Sequence, residues 1–85
     1  MFYVYLLKSL TDGKHYIGQT DDIDERLRRH NDGYVAATRG RRPLVLLGHE
    51  SFLSRDEARY REFSLKKSAT ERKKFYEKFE KTELL

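Results

Sequence analysis

The sequence predicts an α+β domain, a three-stranded antiparallel β-sheet flanked by three helices in the order β-β-α-β-α-α. Three observations predict it. Phe2 to Lys8 and Lys14 to Gln19 are strand-like runs separated by an Asp-Gly turn signal at Asp12-Gly13. Leu44-Val45-Leu46-Leu47-Gly48-His49-Glu50 reads as a third, largely buried strand. Ser54-Arg55-Asp56-Glu57 and Ser68-Ala69-Thr70-Glu71 both match Ser/Thr-x-x-Glu, the signature of a helix start. An 85-residue chain with no repeat, linker or low-complexity tract is expected to form one domain, residues 1–85, around one thin core.

The first two strands are expected to pair as a hairpin across Ser9-Leu10-Thr11-Asp12-Gly13. Side chains alternate along a strand, so Tyr3, Tyr5 and Leu7 share one face of the first, and Tyr16 and Gly18 share one face of the second. A turn centred near Leu10 and Thr11 sets Tyr5 beside Tyr16 and Tyr3 beside Gly18. Thr20 to Asn31 is predicted to be a helix, with Thr20, Asp21 and Asp22 as candidate N-caps and Asp22 with Glu25 as a capping box. Ile23 and Leu27 are its apolar anchors, and Asn31-Asp32-Gly33 is its stop. Gly33 to Pro43 has no periodicity and reads as a basic loop. The helix that begins at Ser54 is expected to reach about Lys67, and the one that begins at Ser68 about Lys81. Arg72, Phe75, Tyr76 and Phe79 form a stripe on the latter that is assigned to packing.

Composition narrows the chemistry. Eighteen Lys and Arg against 14 Asp and Glu leave a formal charge of +4, which permits a polyanion partner without requiring one. The chain has no cysteine, so disulfides, thiol catalysis and Cys-ligated zinc are excluded, and any metal must sit on oxygen or imidazole. His15, His30 and His49 fall on three separate elements, which argues against a histidine zinc site; His15 and His49 read as strand-surface residues. No stretch approaches the roughly 20 apolar residues of a membrane span, and the N-terminus lacks a basic leader, so a cytoplasmic protein that does not engage membranes is expected.

Three features are left over by packing. Arg26 and His30, four apart on a helix, present a permanent cation beside a group that ordinarily titrates near neutrality. The simplest alternative is a solvated face. Glu62 shares a stripe with Ala58 and Leu65, so a carboxylate faces the sheet and needs a cation, whether Arg26, a lysine or a metal ion. Tyr3, Tyr5 and Tyr16 crowd one side of the hairpin, and each buried phenol needs a partner for its hydroxyl, although cross-strand pairing alone also accounts for them. Together they set phenols, a guanidinium, an imidazole and a carboxylate around Gly18. That glycine leaves backbone bare inside a strand, as room for a phosphodiester to lie against the sheet or as a bulge.

Tyr3-Val4-Tyr5, Tyr16-Ile17-Gly18, Arg26-x-x-x-His30 and Glu62, in this order and spacing, resemble the GIY-YIG nuclease superfamily, most of all its small single-domain bacterial members. Thr38-Arg39-Gly40-Arg41-Arg42-Pro43 is similar to a loop typical of those members. Tyr3 stands where the family name has glycine, and the only asparagine is Asn31, whereas several branches use one late in the domain. The resemblance implies hydrolysis of nucleic-acid phosphodiesters, DNA favoured over RNA, with one Mg²⁺ or Mn²⁺ ion. By position it implies Tyr5 and Tyr16 as the paired motif tyrosines, Arg26 as the catalytic arginine, His30 as the histidine one turn on, and Glu62 as the metal ligand. Gly18, Arg39, Arg41, Arg42, Lys66 and Lys67 are the candidates for contact with nucleic acid. The alternative is a non-catalytic nucleic-acid-binding or adaptor module. A monomer or weak homodimer is expected, with either weak intrinsic selectivity or a protein partner that supplies it.

Overall fold

The computed structural model describes residues 1–80. Strands β1 (Phe2–Ser9) and β2 (His15–Thr20) are followed by helix α1 (Ile23–Asn31), strand β3 (Leu44–Phe52) and helices α2 (Arg55–Lys67) and α3 (Ala69–Glu80). The sheet is antiparallel in the order β2-β1-β3, so the first strand of the chain is the central one. This is the expected α+β architecture. The predicted end of α3 near Lys81 lies outside the described residues. Among the described residues no helix is long and apolar enough to cross a membrane.

Local chemistry accounts for the element ends. The Asp22 carboxylate accepts the Glu25 backbone N–H at 3.1 Å, and the Ser54 and Ser68 hydroxyls accept those of Glu57 and Glu71, both at 3.2 Å. Asn31 closes α1 onto the sheet: its amide donates to the Leu44 carbonyl at 2.9 Å and accepts the Leu44 N–H at 2.7 Å, as a strand would. The region expected to be an aperiodic basic loop contains one short 3₁₀ turn, Arg39–Arg41.

The hairpin register differs from expectation by two residues. Tyr5 lies opposite Gly18, Leu7 opposite Tyr16 and Tyr3 opposite Thr20. The cause is a longer turn. The buried Ser9 hydroxyl accepts the backbone N–H groups of Thr11 and Asp12, each at 3.1 Å, and Gly13 takes φ +74° to bring its N–H back to the Ser9 carbonyl. A two-residue slip preserves the face of every side chain, so the predicted grouping of Tyr5 with Tyr16 and Gly18 survives.

The two faces of the sheet carry different cores. Val4, Leu6 and Ile17 pack with Ala58 and Leu65 of α2 and Phe75 of α3, whereas Tyr5, Leu7 and Leu44 pack with Tyr16, Leu27 of α1 and Leu46. Each face has one glycine that an aromatic ring occupies. A Cβ at Gly18 would stand 2.3 Å from the Tyr5 hydroxyl oxygen, and one at Gly48, beside a bulge in β3, 2.1 Å from the ring of Phe79. The space expected above Gly18 for a phosphodiester is therefore filled by the protein's own phenol.

The sheet, α2 and α3 are tied by charge at one end. Arg61 of α2 donates to both Glu50 oxygens on β3 and to Glu71 of α3, and its guanidinium lies 5.6 Å from the centre of the buried Phe75 ring. These partners hold the Glu50 carboxyl below the usual range although burial opposes it.

Substitution of Gly18 or Gly48 by valine is expected to lower stability by about 1 to 3 kcal/mol in urea denaturation, because neither ring can retreat without opening its core. Gly40→Ala, which meets nothing within 4 Å, should stay within about 0.5 kcal/mol. A Tyr5→Leu background should recover part of the Gly18→Val loss, a coupling that a double-mutant cycle measures.

Candidate active site

Tyr5 on the central strand is the hub. Its side chain is buried under α1, where the hydroxyl lies 3.0 Å from Nε2 of His30 and accepts Nε–H of Arg26 at 3.4 Å. Arg26 and His30 reach it together because residues four apart lie on one helix face. Tyr16 stacks beside them, its ring centre 6.4 Å from that of Tyr5 and 5.0 Å from that of His30. Four of the five residues proposed from sequence as catalytic thus meet in one cluster.

His30 is neither solvated nor poised near neutrality, which corrects the reading of it as a group on a solvated face. It has no exposed surface, and its second nitrogen, Nδ1, lies 2.7 Å from Oγ1 of the equally buried Thr38. Burial, with the nearby Arg26 charge, pushes its pKa down to about 4. The imidazole is neutral at physiological pH. Burial pushes the Tyr5 phenol up to about 12, with the Tyr16 and Glu62 charges adding to the rise, while the Arg26 hydrogen bond and charge pull the other way. The hydrogen bond to Tyr5 raises the pKa of Arg26 in turn. A phenol so displaced stays protonated and does not serve as a general base at neutral pH.

Glu62 enters from α2. It is half-buried and pairs with Lys66 at 2.9 Å, not with Arg26, so of the two cations considered from sequence the lysine holds it. Lys66 also lies 5.7 Å from the centre of the Tyr16 ring, linking the carboxylate to the phenols. Lys67 points elsewhere, over Phe63 at 5.4 Å.

The loop arginines divide. Arg41 is fixed to the hairpin turn by its bonds to Asp12 at 3.1 Å and to the His15 carbonyl at 3.3 Å, which removes it from the expected set of free phosphate contacts. Arg39 and Arg42 remain exposed, the first bonded to the Gly33 carbonyl and the second lying over Gly33. His15 stacks on Tyr76 and pairs with Glu80, so it joins β2 to α3 and is not a plain strand-surface residue. His49 is exposed as expected, edge-on to Tyr3.

Thr38 is the member that sequence reasoning missed. Within an aperiodic basic loop it resembles a cap for the 3₁₀ turn that follows, and only the need of a buried imidazole for a partner at each nitrogen would have pointed to it.

The His30 shift sets the sign of a pH effect. The unfolded chain takes up the histidine proton near pH 6.5 and the folded one only near 4, so stability is complete above 6.5 and falls as the pH is lowered. Between pH 7 and pH 5 the loss should be about 2 kcal/mol by urea denaturation. His30→Gln should flatten that slope.

The chain is similar to known proteins. The family described as GIY-YIG catalytic domain matches residues 1–81. A UPF0213 protein of Bacillus pumilus is 41% identical over 87% of this chain and 76% of its own length, and one of Halobacterium salinarum is 43% identical over 78% and 86%. The solution NMR structure of the UPF0213 protein BH0048 from Bacillus halodurans superposes with a TM-score of 0.56 at 35% identity, covering 91% of this chain and 84% of that one. With Tyr5, Tyr16, Arg26 and His30 gathered on one side of the sheet and the match running through all six elements, the chain belongs to the GIY-YIG domain family.

Proposed function

We propose that this protein is a metal-dependent endonuclease that hydrolyses phosphodiester bonds of nucleic acid, DNA in preference to RNA. The reading rests on one observation: a guanidinium from α1 bonds the buried hydroxyl of Tyr5 beside a second phenol from β2, and the Glu62 carboxylate of α2 lies near enough for its charge to act on that hydroxyl. Phosphoryl transfer needs charge relief at the phosphate and a positioned water, and these groups supply both.

Arg26 spends its Nε–H on Tyr5, which leaves the two terminal nitrogens to take two phosphoryl oxygens as a fork. Tyr5, protonated and fixed over Gly18, aims that fork. Tyr16 is the half-buried phenol and the one able to hold the attacking water. His30 acts through Tyr5, since its Nε2 faces only that hydroxyl. Arg39, Arg42 and Lys67 are exposed cations suited to flanking phosphates, where charge contributes affinity without sequence information, and Lys66 is held by Glu62. Selectivity is assigned to a protein partner.

Glu62 would hold the divalent ion, Mg²⁺ or Mn²⁺. Among the described residues no three His, Asp or Glu side chains gather as a cage. A lone carboxylate nevertheless fits a hard cation that keeps most of its waters and takes further ligands from substrate phosphates. Such an ion supplies a Lewis acid at the scissile phosphate.

Purified protein with Mg²⁺ or Mn²⁺ should cleave at least one of single-stranded, duplex or branched DNA or RNA, and chelation should stop it. Arg26→Ala and Glu62→Gln should each lower the rate by at least about 100-fold. Equal cleavage by wild type and Glu62→Gln would identify a contaminant and remove the enzymatic reading. Binding that weakens steeply with salt, without cleavage under either metal, would instead establish the non-catalytic module.

A further inference from the structure

We propose that Thr38 is a positioning residue of this site: its hydroxyl receives the Nδ1 hydrogen of His30 and so holds the ring in the tautomer that the Arg26–Tyr5 contact calls for, with Nε2 turned to the Tyr5 hydroxyl that aims Arg26. The proposal rests on the phosphodiesterase reading for its catalytic consequence, but its structural content stands apart from it.

Hydrogen-bond bookkeeping leads there. Arg26 has only donors, so at their contact the Tyr5 oxygen accepts. The phenol must then send its own proton elsewhere, and the acceptor within reach is Nε2 of His30 at 3.0 Å. A neutral imidazole with a lone pair at Nε2 carries its hydrogen at Nδ1. That hydrogen is directed at Oγ1 of Thr38, 2.7 Å away. The reverse tautomer would bring two N–H donors onto the one phenol oxygen and strand the phenol proton beside them, whereas the Nδ1 tautomer leaves unmet only the Thr38 hydroxyl proton, which turns freely about its C–O bond.

Thr38 has the freedom to act this way. It precedes the 3₁₀ turn Arg39–Arg41 without capping it by its side chain, so its hydroxyl is not spent on the backbone. Its own N–H is bonded to the Val35 carbonyl at 3.1 Å, and its carbonyl accepts from Arg41 N–H at 2.9 Å. Arg41 is held in turn by Asp12, and its carbonyl accepts the Ser9 hydroxyl at 2.6 Å. A fully buried threonine, clamped by the loop and the hairpin turn, thus sets one end of a four-residue line from Thr38 through His30 and Tyr5 to Arg26.

The test measures the His30 ring by long-range ¹H–¹⁵N NMR across a pH titration, in wild type, Thr38→Val, Thr38→Ser and Tyr5→Phe. Wild type and Thr38→Ser should show one tautomer, with hydrogen on Nδ1. Thr38→Val should show a mixture or the reverse tautomer. Tyr5→Phe, which removes the donor facing Nε2, should lose the single tautomer with Thr38 still in place. Hydrogen on Nε2 in the wild type, or an unchanged tautomer in folded Thr38→Val, would overturn the proposal, and the wild-type result decides even if Thr38→Val fails to fold. In cleavage assays Thr38→Val should lower kcat at least tenfold with KM nearly constant, and Thr38→Ser should restore most of it. A wild type that shows the tautomer and does not cleave would sink the nuclease reading and leave the assignment of Thr38 intact.

Discussion

The contact between the Tyr5 hydroxyl and its two helical partners is the point on which the remainder of the site depends. It joins the central strand to α1 by hydrogen bonds in a region otherwise packed by Leu7, Leu27 and Leu44. Apolar packing is tolerant of small shifts, whereas hydrogen bonds between buried polar groups are not. The polar line therefore defines where α1 sits on the sheet, and the apolar residues supply the cohesion. The same contact explains the burial of His30. An imidazole with partners at both nitrogens can enter a core that an unpartnered one could not.

Much of this was legible in the chain. Caps at Asp22, Ser54 and Ser68 and the alternation in Phe2–Ser9 follow from local rules, and the element ends among the described residues lie within three residues of expectation. The grouping of Tyr5, Tyr16 and Gly18 on one face followed from period two alone. The register did not, because it depends on whether the Ser9 side chain accepts one or two turn amides, a detail that residue types do not carry. Gly18 shows the limit differently. A bare strand position signals that something approaches closely, yet not whether the visitor is a substrate or, as here, a phenol from the neighbouring strand.

The site was legible in its parts but not in its protonation. Spacing placed Arg26 and His30 on one face, and that face could have been wet. The decisive quantity is depth, which is a property of how the loop of residues 33–43 folds over α1. Thr38 and Arg41 close that loop from beneath, and neither advertises the role in sequence, since threonine and arginine in a Gly- and Arg-rich stretch look like solvent-facing filler. The same loop therefore contributes to the site from its hidden side while Arg39 and Arg42 remain on its outer one.

The fastening of Arg41 bears on how the molecule presents charge. A cation already paired with a carboxylate displaces few ions when it meets a polyanion, because its field is compensated beforehand. Arg41 with Asp12, Arg61 with Glu50 and Glu71, and Lys66 with Glu62 all fall in that class. The formal +4 is thus an imperfect guide to the protein's ionic character. Counterion release on contact with a phosphate backbone would be governed by cations outside such pairs, among them Arg26, Arg29, Arg39 and Arg42. Those four lie on α1 or on the loop that follows it, and Lys14, Arg59, Lys67 and Lys73 add others on the hairpin turn, α2 and α3, so the charge this fold can offer is set by which cations have a carboxylate beside them and not by the overall excess.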